Sequence, residues 1–182
     1  MKRPHDARRL DVARFAAEAG TLAGDWPGEQ LDRLADSQTP PQDTPLTVVA
    51  WSVQGEARPV TGGEPELWLT LKASTTAWLA CQRCLQPMAE TLVIDRRIRF
   101  VRGEAEAEAL DAESEDDVLA LARSLDLREL VEDELLLALP LVPRHERCPQ
   151  PLPMAAAAIE PAAAAEPAAH PFAVLKHLKT DR

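Results

Sequence analysis

The chain's three cysteines and one of its four histidines fall in two short stretches, CQRC at 81–84 and HERC at 145–148. Each stretch offers two soft ligands three positions apart, Cys81 with Cys84 and His145 with Cys148. A C-x-x-C turn presents two thiolates to one ion, and an imidazole with a third thiolate completes the tetrahedral Cys3His set of structural zinc sites. Such a site would staple the later stretch onto the earlier one. The alternative is that Cys81 and Cys84 fill a turn as small, buried, reduced side chains, with His145 facing solvent. A thioredoxin-like redox pair is disfavoured. That motif opens a helix after a strand, whereas here Pro87 and strand-like residues follow.

A second constellation is RRIRFVR, which sets Arg96, Arg97, Arg99 and Arg102 around Phe100, with Arg83 inside the C-x-x-C turn. Arginines interleaved with an aromatic hold phosphates and stack on bases, so these five are the candidates for RNA contact. In a regular strand Arg96 and Arg102 face away from Arg97 and Arg99. No single face collects them all, and the plain alternative is an exposed strand whose arginines offset the acids that follow.

Those acids are concentrated. Residues 103–134 hold thirteen acidic side chains and two arginines, a balance of −11, so the rest of the chain carries +1 against a total of −10. The block EAEAEALDAESEDD reads as a solvated loop or frayed helix, or as a surface that recruits a basic protein or repels misplaced RNA. Enzyme signatures are missing: there is no Gly-rich phosphate loop, no G-x-S-x-G and no H-E-x-x-H. The run Glu132–Asp133–Glu134 points its charges several ways around a helix and makes no general acid/base pair. A non-catalytic role is therefore expected.

The elements that must position these residues come next. At 182 residues, 46% hydrophobic and 27% charged, the chain has the composition of a soluble protein able to bury a core. It has no apolar run long enough to cross a membrane, and MKRPHDARRLDVARF has no apolar h-region. Three cysteines close no disulfide framework. A reducing, cytoplasmic setting follows as the expectation.

Asp11 before VARFAAEAG predicts a short capped helix stopped by Gly20, and a further helical turn sits around Leu31 and Leu34. Period-two alternation marks strands in LTVVAWSVQGEA, PELWLTLKAS, TTAWLACQRC and MAETLVIDRRIRFVRG, with Gly62–Gly63 as a hairpin signal. Trp51, Trp68 and Trp78 are expected in or half in the core. Asp126 with Glu129 matches a capping box for LRELVEDELLLALP, whose Leu127, Leu130, Val131, Leu135 and Leu139 recur at helical spacing until Pro140. LVPRHERC then leaves as an extended strap.

The predicted fold is α+β: an antiparallel sheet or partly open small barrel, one long amphipathic helix packed on it, and a short N-terminal helix. The predicted organisation is a domain over 1–148, an Ala/Pro-rich linker over 149–171 and a short apolar, basic segment over 172–182. In that last segment Phe172, Leu175 and Leu178 recur at helical spacing beside Lys176 and Lys179, as in a docking peptide or a frayed tail.

Taken together, CQRCLQPM, then LVEDELLLALPLVPRHERC, then the terminal PFAVLKHLK resemble the YceD-like family, the bacterial large ribosomal RNA subunit accumulation proteins. The resemblance runs in outline from Leu10 to Lys179 and is most distinctive in the helix-to-Pro140 motif. It implies a role in 23S rRNA accumulation and ribosome biogenesis, with 23S rRNA or its precursor and ribosomal or rRNA-maturation proteins as partners. It brings no catalytic residues. Its alternative is a protein–protein adaptor that recruits another maturation factor without touching RNA.

Overall fold

Alternating apolar residues build a sheet, and helices near the start of the chain and after the last strand cover one of its faces. In the computed structural model, which describes residues 4–149, the chain runs α1 (Val12–Ala17), β1 (Thr21–Trp26), a 3-10 turn (Gly28–Gln30), α2 (Asp32–Asp36) and β2 (Val49–Arg58). It continues through β3 (Glu66–Ala80), β4 (Pro87–Val101), α3 (Glu104–Asp111), β5 (Asp117–Ala120) and α4 (Leu127–Leu137). These residues belong to one unit, Met1–Pro149. The Ala/Pro-rich stretch from 150 onward and the candidate docking residues Phe172, Leu175 and Leu178 lie outside the described residues.

The sheet has five strands in the order β1-β2-β3-β4-β5. The first four pair antiparallel in sequence order, but β5 lies parallel to β4. The sheet is therefore mixed and open, not wholly antiparallel and not a barrel. The reason is α3: it supplies the crossover that a parallel pairing needs, inside the acidic block expected as loop or frayed helix. The two strand signals in PELWLTLKAS and TTAWLACQRC are one continuous strand of 15 residues, paired along its length with the 15 residues of β4. Together they form a long hairpin arm with the C-x-x-C turn at its tip.

On the covered face, Leu69, Leu71, Ala73, Leu79, Leu92, Ile94 and Ile98 meet Leu10, Phe15, Leu31, Leu34, Leu127, Val131 and Leu135. Asp11 caps α1 by accepting from the Arg14 N–H, and Asp126 caps α4 by accepting from the N–H groups of Arg128 and Glu129. At 11 residues α4 is a three-turn helix, shorter than expected; it is already capped at Ala138, before Pro140. A smaller cluster of Val101, Ala107 and Val118 seats α3 on β4 and β5. Among the described residues, no helix is long and apolar enough to cross a membrane.

Two long-range ties close the N-terminal elements onto α4. Leu10 and Leu125 exchange backbone hydrogen bonds of 2.8 and 2.9 Å. Glu132, among the buried side chains, accepts from the backbone N–H groups of Arg33 and Leu34 at 2.7 and 3.1 Å.

Close approach explains one glycine. A Cβ on Gly55 of β2 would sit 2.7 Å from the Phe15 ring and 3.0 Å from the Ala16 backbone, so α1 rests directly on this strand. Gly55→Ala forces α1 away from the sheet and is expected to lower the unfolding free energy by about 1–3 kcal/mol, read as a lower urea midpoint.

Candidate metal centre

The tip of the hairpin is a turn built to gather thiols. Cys81 N–H donates to the Gln86 carbonyl at 3.0 Å, and Leu85 N–H donates to the Cys81 carbonyl at 2.8 Å. Leu85 turns the chain at φ 60°, the left-handed region that costs a non-glycine residue about 1–2 kcal/mol. After α4 the strap returns to this turn, and Gln82 N–H donates to the Pro143 carbonyl at 2.8 Å. That bond sets His145 and Cys148 opposite Cys81 and Cys84.

One ligand atom from each of the four residues lies within 4.8 Å of every other, with Cys81 and Cys84 buried and His145 and Cys148 half-buried. Cys81 Sγ is 3.8 Å from Cys148 Sγ, and Cys84 Sγ is 3.4 Å from His145 Nδ1. A zinc ion with bonds of about 2.3 Å to sulfur and 2.0–2.1 Å to nitrogen puts tetrahedral edges near these two separations. The donor set and the spacing both fit zinc, with His145 Nδ1 facing the site.

Electrostatics at the site point the same way. Burial pushes the Cys81 thiol up, but hydrogen bonds from the His145, Arg83 and Cys84 backbones outweigh it and bring its pKa down to about 5. Burial pushes Cys84 above its ordinary value, and the neighbouring thiols Cys148 and Cys81 add to that rise. Without a cation the pocket thus favours one thiolate and resists a second. A divalent ion removes that conflict.

Arg83 belongs to this centre, where sequence reasoning had grouped it with the strand arginines. Its Nε donates to Cys148 Sγ at 3.0 Å, and its Nη2 donates to the carbonyls of His145 and Glu146 at 3.1 and 3.4 Å. The contact with Cys148 raises the guanidinium pKa.

The structure does not bring the other candidate arginines together as a free basic face. Arg96 pairs with Glu134 of α4 at 3.2 Å, and Arg97 with Asp116 at 3.3 Å. Arg99 pairs with Glu66 at 3.0 Å and Arg102 with Glu64 at 3.2 Å. Burial pushes the Glu134 carboxyl up, against the pull of Arg96. Trp68, on the strand face opposite the core, is buried all the same because Arg58 and Arg97 lie over its ring, 4.7 and 5.0 Å from the centroid.

Sequence reasoning also passed over two exposed arginines, Arg144 and Arg147, although they alternate with the ligands in the string RHERC. Glu132 was passed over too, as one charge in an acidic run. Its signal was its place one residue after the buried Val131 on the packed side of α4.

The comparisons join these parts. The family model of the large ribosomal RNA subunit accumulation protein YceD matches residues 69–179. That span takes in most of the hairpin arm, all four candidate ligands and α4. The Large ribosomal RNA subunit accumulation protein YceD of Haemophilus influenzae is 30% identical over 172 residues, covering 93% of this chain and 94% of its own. No solved structure matches significantly. With more than half its length matched to the family model and nearly all of it aligned to that relative, the chain belongs to the YceD family of large ribosomal RNA subunit accumulation proteins.

Proposed function

We propose that the protein supports 23S rRNA accumulation during large-subunit assembly as a non-catalytic cytoplasmic factor, contacting the precursor RNA directly and carrying one structural zinc. The observation that carries the role is the family match across ligands, hairpin arm and α4 together, with a relative named for large ribosomal RNA subunit accumulation. Zinc is supported by the Cys3His geometry. It would be held by Cys81, Cys84, His145 and Cys148, and when bound it supplies a cross-link between strap and hairpin. The non-catalytic reading is supported by how the buried Glu132 and the half-buried Glu134 are used: Glu132 holds α2, and Glu134 holds Arg96.

A second reading has a specific observation in its favour. Since Arg96, Arg97, Arg99 and Arg102 all have acidic partners, a protein–protein adaptor that recruits a maturation factor uses this surface as well as an RNA binder does. UV crosslinking of a tagged copy in growing cells separates the two. Direct contact gives reads enriched at defined positions of precursor 23S rRNA. An empty crosslink with ribosomal proteins co-purifying selects the adaptor and ends the first reading.

A further inference from the structure

Resting on the reading of direct RNA contact, we propose that the contact is made at the metal-closed tip, with Arg144 and Arg147 binding RNA phosphates and the bound metal holding them in place. Among the described residues, Arg9, Arg123, Arg128, Arg144 and Arg147 form no ion pair or side-chain hydrogen bond with an acid or sulfur. Arg9, Arg123 and Arg128 lie in segments that also carry Asp6, Asp11, Asp126 and Glu129. Arg144 and Arg147 stand in a strap whose one acid is Glu146, and both are exposed.

Their positions are set by chemistry, not by chance. Each is bonded directly to a candidate ligand, Arg144 to His145 and Arg147 to Cys148. The backbone between them is clamped by Arg83 through the carbonyls of His145 and Glu146. A divalent ion with three thiolates and a neutral imidazole carries −1, and the Arg83 guanidinium at 3.0 Å from Cys148 Sγ offsets it. Arg144 and Arg147 then outweigh Glu146, leaving the tip cationic. Cations on a clamped backbone bind a phosphate backbone with only their side chains left to order.

The surroundings suit RNA. Leu85 in the turn and Leu141 and Val142 in the strap, at 64, 100 and 53% exposure, offer apolar surface to unstacked bases or sugars. The acidic segment that would repel RNA begins at Glu104, past the other end of β4. Fourteen residue steps of strand separate that end from the tip, roughly 45 Å.

The test is binding of metal-loaded full-length protein to labelled fragments of a precursor 23S rRNA transcript, followed across a salt titration. Arg144→Gln with Arg147→Gln is expected to lower the slope of log affinity against log salt by about 1.5–2. Arg144→Lys with Arg147→Lys should keep most of that slope, and Arg96→Gln should leave it unchanged. Both arginines are exposed, so thermal unfolding and zinc content of the variants should match wild type. Chelating the metal should reduce the slope as the Gln pair does. If wild type binds and the Gln pair keeps its full slope, the tip is not the site and direct RNA contact stands elsewhere. If the chelated chain keeps the wild-type slope, the metal does not hold the arginines. If metal-loaded wild type binds no fragment, this inference and the RNA reading fall together.

Discussion

Glu132→Ala lowers the unfolding free energy by about 3 kcal/mol, read by urea denaturation of the full chain. At 2–4 °C per kcal/mol for a chain of this size, the melting midpoint falls by about 10 °C. The physical reason is the number of groups that lose their partner at once. The carboxylate accepts from the backbone N–H of Arg33 at 2.7 Å and of Leu34 at 3.1 Å, and from the Arg33 guanidinium at 3.2 and 3.0 Å. Its side chain is 11% exposed, so little water reaches the N–H groups to replace it. Asp133 contributes more than Glu132 to raising the Arg33 pKa, yet it is 48% exposed. Asp133→Ala is therefore expected to cost less than about 1 kcal/mol. Glu132→Gln keeps an oxygen for the two N–H groups and falls between the two. A Glu132→Ala midpoint equal to that of Asp133→Ala would mean that α2 is not held by this carboxylate.

The second large effect concerns the cluster. As purified without chelator, the chain is expected to hold one zinc, and Cys81→Ser to hold almost none against a competing colorimetric chelator. The loss of a direct ligand should exceed the 10–100-fold affinity cost typical of outer partners. With free zinc at a thousand times Kd, wild type gains about 4 kcal/mol of unfolding free energy, and Cys81→Ser loses that gain. The pH dependence has a definite sign. Cys84, raised by burial and by its neighbouring thiols, is protonated at neutral pH and must release its proton to bind. Affinity therefore rises about tenfold per pH unit for each such proton. Cys81, with its pKa near 5, adds a further proton only below that value. In the metal-free chain, the depressed Cys81 pKa contributes stability present above the ordinary thiol range and lost as pH falls through about 5. A zinc affinity independent of pH would exclude the thiols as ligands.

How much of this was legible in the sequence depends on the range of the interaction that decides each element. Caps are local, and Asp11 and Asp126 announced α1 and α4. The alternation of Leu67, Leu69 and Leu71 announced part of β3, but Ala73, Ser74, Thr75 and Thr76 weaken the apolar signal, and the strand read as two. β1 was missed because TLAGDW holds Ala, Gly and Asp, poor strand formers; it is a strand because Thr21 to Trp26 pair with β2, stacking Trp26 on Trp51 at 4.4 Å. β5 was hidden at the end of the acidic block, and of its four residues only Val118 is buried. The four candidate ligands were legible as a set because two short spacings carry it. The pairing of the arginines was not. Asp116, Glu134, Glu64 and Glu66 reach them only through the crossover of α3, the packing of α4 and the β3–β4 register.

The tie between Glu132 and α2 also bears on the order in which the chain acquires its shape while it is being made. Leu34 and Glu132 are 98 positions apart. At bacterial elongation speeds of about 5–20 residues per second, roughly 5–20 seconds separate the synthesis of the two. Throughout that interval α2 has been translated but its carboxylate partner has not, and Leu10 likewise waits for Leu125. The β3–β4 arm is under no such delay, because its two halves are adjacent in sequence. A nascent chain can thus complete its hairpin, and pair β1 and β2 with it, while α2 and the segment at Leu10 still lack their later-made partners, and arrest during that window leaves those two segments as the part exposed to proteases.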